Sequence, residues 1–181
     1  MGVPNGYTSA QVVQAVPTGI NSALVLISSV TLNSASTVLS NVFSATYQNY
    51  LVQGSNLMQG GGATPNLRFR LGAGTAHLFN EIYYTPNSTG TVASHASSGN
   101  FFNVGQLDVT ANNYQNNLTA YIRSPFLSFR TGFTCFNVGY DTQMRFCNGV
   151  ETSQTSFTDL TISCENGGTV TGSLQVYGYT L

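Results

Sequence analysis

The chain has 181 residues, of which 41% are hydrophobic, 12% aromatic and only 6% charged, with a net charge of −1. Five scattered Arg and no Lys leave no basic stripe, which excludes nucleic acid and anionic membrane surfaces as partners. The length suits one domain with an arm, and so much aromatic surface suits a packed fold rather than a disordered chain.

Residues 1–21 read as an N-terminal arm. Thr8 can cap one short helix, Val12 and Val16 share a face at i, i+4, and Pro17 ends it. So short a helix is marginal alone and must dock on something. Val12, Val13, Val16 and Ile20 are the candidate contacts with a neighbour, or with the chain's own domain. No positive region precedes these apolar residues, so no secretory signal peptide is expected. No window approaches twenty apolar residues, so no membrane-spanning helix is expected.

From residue 22 to residue 181 the texture is that of one β domain. Residues 24–32 open a strand with Leu24, Leu26, Val30 and Leu32 on one face. Residues 37–43 form a second, irregular run and residues 47–58 a third. After the glycine-rich tip Gly60-Gly61-Gly62, Leu67-Arg68-Phe69-Arg70-Leu71 alternates cleanly, apolar inward and Arg outward. Residues 81–84 precede a turn at Pro86-Asn87, and the small, polar residues 88–100 read as a long loop. Further strands are expected over 101–109, 118–122, 126–140, 143–150, 157–164 and 169–179. Asn166-Gly167-Gly168 between the last two predicts a hairpin. Nine or ten short strands without βαβ alternation predict an all-β, antiparallel β-sandwich, jelly-roll-like, behind the short arm.

The sequence offers little chemistry. Cys135, Cys147 and Cys164 lie in apolar, strand-like runs with no metal-binding spacing, and read as reduced core thiols, with a Cys135–Cys147 bridge across a hairpin as the alternative. That fits synthesis in a reducing cytoplasm. His77 stands four residues before Glu81, a spacing without metal geometry on a strand, and His95 sits in the expected Ser-rich loop. The carboxylates Glu81, Asp108, Asp141, Glu151, Asp159 and Glu165 are dispersed, and most are expected at solvated strand ends or turns. The five Arg are expected on outer strand faces. No catalytic residue, cofactor or metal is expected, and the chain reads as a non-enzyme.

Both ends carry a recognisable order of residues. Tyr7 to Ser22 is followed by an apolar strand and then by Phe43-Ser44-Ala45-Thr46-Tyr47-Gln48-Asn49-Tyr50-Leu51-Val52. Phe157-Thr158-Asp159-Leu160-Thr161-Ile162-Ser163 leads to Thr171-Gly172-Ser173-Leu174-Gln175-Val176-Tyr177-Gly178-Tyr179. This order resembles the small β-rich virion structural proteins of tailed bacteriophages of marine and cyanobacterial type. The middle, residues 60–117, carries no part of the resemblance.

The resemblance implies a place in the virion after synthesis in the host bacterial cytoplasm. A capsid decoration or cement protein is the first expectation, because a twenty-residue arm is too short for a fibre shaft. Its partners would be other copies of itself, as a homotrimer, and the major capsid or other virion proteins. The alternative is a tail-fibre or tail-associated protein that binds host surface glycans through the loops around 60–62 and 88–100.

Overall fold

The computed structural model describes residues 24–60, 65–85, 91–107, 116–139 and 144–179. The arm, with Val12, Val13, Val16 and Ile20, lies outside the described residues, as do Gly61, Gly62 and the Pro86-Asn87 turn. Among the described residues there are twelve strands in two antiparallel sheets and no helix. The large sheet runs, edge to edge, β1 (Val25–Ser34), β12 (Thr169–Tyr179), β3 (Asn49–Gly60), β8 (Asn116–Arg123), β9 (Thr131–Val138), β10 (Met144–Glu151), β5 (His77–Thr85) and β6 (Thr91–Gly99). The small sheet runs β2 (Ser36–Leu39), β11 (Leu160–Cys164), β4 (Asn66–Leu71) and β7 (Phe102–Gln106). The expected all-β sandwich is present.

Alternation explains what joins the layers. Leu67, Phe69 and Leu71 of β4 are fully buried, while Arg70 between them is exposed. They meet the inward set of the large sheet, which includes Val52, Leu118, Ala120, Ile122, Phe133, Leu174 and Val176. An aromatic stack crosses the sandwich at its centre. Phe102 of β7 lies parallel to Phe133 of β9 with ring centroids 4.6 Å apart, and Phe69 meets Phe133 edge-on at 6.3 Å. At the other end Phe43 and Tyr50 pack edge to face at 4.8 Å. The Tyr50 hydroxyl donates to the Ser44 carbonyl at 3.0 Å and accepts from its N–H at 2.7 Å, so this polar tip is satisfied inside the core.

Three sequence expectations are corrected. The last two strands are no hairpin: β11 pairs with β2 and β4, whereas β12 pairs with β1 and β3. The turn chemistry is as expected, with Gly167 at φ 74° and Asn166 Oδ1 accepting from Gly168 N–H at 3.0 Å. What the turn does is carry the chain from one layer to the other. Each flanking strand then satisfies its alternation against different neighbours.

Residues 88–100 are no long loop, because β6 occupies 91–99 and pairs with β5 throughout, His77 opposite Gly99 to Thr85 opposite Thr91. Backbone pairing along a partner strand holds an edge strand that has no apolar alternation of its own. His95 therefore stands on a strand, opposite Glu81, and not in a loop.

The third correction concerns β1. Its register on β12 shifts between Leu26 and Ser28, and a shift of one residue reverses which face each side chain takes. Leu24 and Leu26 are exposed, while Leu32 is buried. The four leucine and valine positions do not share a face.

Candidate functional site

The four strands β8, β9, β10 and β5 bring two different surfaces to the large sheet. Their inward face carries polar groups at its margins. Arg145, on β10, points into the sandwich and is 8% exposed, contrary to the expectation that every Arg sits on an outer face. Its Nη1 donates to Glu81 on β5, and its Nη2 donates to Gln106 Oε1 at 2.6 Å. Glu81 is 4% exposed, so it is not one of the solvated carboxylates the sequence suggested.

At the far end of the same strands His77 and Glu151 are both fully buried, facing each other across β5 and β10. His77 Nδ1 lies 2.9 Å from Glu151 Oε2. The Glu151 carboxylate also accepts from the backbone N–H of Ser153 at 3.0 Å and of Ala76 at 3.3 Å. The imidazole packs edge-on against Phe102 at 4.5 Å. The fold pairs His77 with Glu151, 74 residues away in the sequence. A dyad with no solvent-accessible surface cannot touch a substrate in this conformation, so its evident work is structural.

Burial lowers the His77 pKa below its ordinary 6.5, against the opposing pull of the Glu151 carboxylate. The unfolded chain then binds more protons than the folded one just below pH 6.5. Stability is therefore expected to be complete above pH 6.5 and to fall as the pH drops through it. The slope from this one group cannot exceed about 1.4 kcal/mol per pH unit. Urea unfolding of the protein and of His77→Gln between pH 5 and 8 checks this: the variant should lose that part of the slope.

The cysteines are free and buried, as expected. Cys135 and Cys147 stand directly opposite on β9 and β10, Cys135 donates to the Val104 carbonyl at 3.1 Å, and burial pushes its thiol pKa well up. A raised thiol is a poor nucleophile.

The outward face of these strands is the larger surprise. Phe136, Phe146 and Ile82 are exact cross-strand neighbours on β9, β10 and β5, each about half exposed. Val138, Met144 and Tyr84 form the adjacent row. The ordinary alternation is thus inverted over β10, with Arg145 and Cys147 inside and Met144 and Phe146 outside. Among the outward residues of β5, β8, β9 and β10 the charged one is Arg123, at the end of β8. An antiparallel sheet commonly keeps its solvated face polar, and over these strands this one does not. Residues 133–138, with Phe133 and Cys135 inward and Phe136 and Val138 outward, carry that signal in the sequence.

Comparison with protein-family models, curated proteins and solved structures finds no match for this chain.

Proposed function

We propose that the chain is a non-enzymatic structural protein of a phage particle, most simply a decoration or cement protein of the capsid present in many symmetric copies. The observation that carries this reading is the double row of half-exposed apolar side chains on the outer face of the large sheet. A lone protein gains nothing by leaving that surface in water; a protein that works assembled buries it. The low charge agrees, since a chain near neutrality has little repulsion against association. The resemblance of both chain ends to virion structural proteins supplies the particle. A jelly-roll-like path through the sandwich and attachment through Val12, Val13, Val16 and Ile20 of the arm belong to the same reading.

A second reading rests on a different feature. A shallow cleft of about 410 Å³ at one end of the sandwich is lined by Thr75, Ser153, Thr155, Ser156, Thr158 and Asp159. Such a hydroxyl-rich surface fits a host glycan, and so a tail-fibre or tail-associated receptor-binding role. Copy number separates the two. Quantitative mass spectrometry of purified particles should find hundreds of copies per particle for a decoration protein. A few tens or fewer would favour the fibre, and absence from particles would end both readings.

A further inference from the structure

The outer face of the large sheet has a definite size and composition. Phe136, Phe146, Ile82, Val138, Met144 and Tyr84 are 39–45% exposed. With side chains of this class presenting up to ~200 Å² each, the six together leave about 500 Å² of apolar surface in water. That is at the upper end for the largest patch on a monomer, about 300–600 Å². It also matches one side of a standard interface, about 800 Å² per partner with an apolar core of roughly 65%. Thr134, Asn148 and Asn80 form a polar row beside the Phe136–Phe146–Ile82 row, with Tyr121 of β8 at its end, and Thr119 of β8 flanks Phe136.

Chemistry narrows the partner. Among the described outward residues of these four strands there is no carboxylate, and Arg123 lies off the apolar rows. A strongly charged partner would bring charge to a surface with nothing to pair it, at a desolvation cost. The surface needs a partner that is itself apolar, sheet-like and rimmed by amides and hydroxyls. It is its own best complement.

We propose that this face packs against the same face of a second copy, giving an isologous, two-fold contact between two large sheets. Sheets packed in this way sit about 10 Å apart with their strands inclined by about 30°, so side chains of the two faces interdigitate. Each copy's Phe136–Phe146–Ile82 row then lies across its counterpart, and β9 and β10 become buried on both sides. The three-fold ring expected from the sequence would instead set this face against a different surface of its neighbour. The proposal rests on reading the face as an assembly surface and not on the nature of the particle.

Sedimentation equilibrium of the full chain from about 1 to 200 µM tests it, with Phe146→Arg, Met144→Lys and, as a control, Val38→Arg on the small sheet. Val38 is 57% exposed and outside the proposed contact. The protein and the control should be dimers at the upper concentrations. Phe146→Arg and Met144→Lys should each weaken the dimer at least tenfold while keeping the circular dichroism of the parent. Two substitutions on different rows guard against one of them failing to fold.

A parent protein that stays monomeric at 200 µM overturns the proposal; in that case the arm or another virion protein covers the face. A trimer, or a dimer indifferent to both substitutions, overturns it as well. A dimer whose protein is absent from particles leaves this inference standing and removes the virion reading. A monomer abundant in particles does the reverse.

Discussion

Phe133→Ala lowers the free energy of unfolding by about 3–5 kcal/mol, the usual cost of truncating a fully enclosed aromatic ring. Phe133 is 1% exposed and stands between both layers, stacked on Phe102 and edge-on to Phe69. Space cannot close easily around the loss. Opposite it on β10 is Gly149, where the Phe102 ring already approaches to 2.8 Å of the position a Cβ would take. The ring therefore fills the room that Gly149 leaves, and removing Phe133 strips one face of Phe102. Phe136→Ala, three residues along the same strand, provides the contrast. Its side chain faces outward, so the isolated chain should lose less than about 1 kcal/mol. Urea unfolding at low protein concentration, where copies are apart, measures both. Equal losses at the two positions would mean that the assigned faces of β9 are wrong.

Arg145→Met should cost about 3–5 kcal/mol for a different reason. Arg145 holds Glu81 in the interior, and deleting the cation leaves a nearly buried carboxylate without its ionic partner. The loss comes less from the missing attraction than from the stranded charge. Adding Glu81→Leu to Arg145→Met should therefore restore much of the stability, because an apolar pair of similar volume needs no solvation. Thermal or urea unfolding of the two single variants and the double variant supplies the cycle. If the double variant is as unstable as the sum of the singles, the pair is not coupled and the account of Arg145 fails.

Much of the fold is legible in the sequence wherever one face of a strand is apolar and the other is not. Leu67-Arg68-Phe69-Arg70-Leu71 identifies both the strand and its inward face, and β12 shows its inward Val170, Leu174 and Val176 equally plainly. Legibility ends where partners are chosen by the tertiary fold. Asn166-Gly167-Gly168 specifies a reversal, but nothing local says that the strands on either side join different sheets. The bulge in β1 reverses Leu26 relative to Leu32 and leaves no mark in the alternation. Residues 91–99 have no apolar period and become a strand through β5 alone.

The surface proposed for assembly was hidden for a similar reason. In Met144-Arg145-Phe146-Cys147, hydrophobicity alone would turn Phe146 inward and Arg145 outward. The fold does the opposite because Glu81 and Gln106, 64 and 39 residues away, satisfy the guanidinium inside. Once Arg145 is committed inward, alternation forces Met144 and Phe146 out. The buried ion pair and the apolar outer face are thus two consequences of one register.

Hydroxyl-radical footprinting tests the central claim most directly, by comparing the dilute chain with its assembled form. Met144 is 45% exposed in the single chain and lies among Phe146, Phe136 and Tyr84. The account predicts that assembly protects Met144, Phe136 and Phe146 several-fold, while Phe129, exposed in the loop between β8 and β9, keeps its reactivity. Unchanged oxidation of Met144 and Phe146 on assembly would contradict it, since the face would then still be open to water.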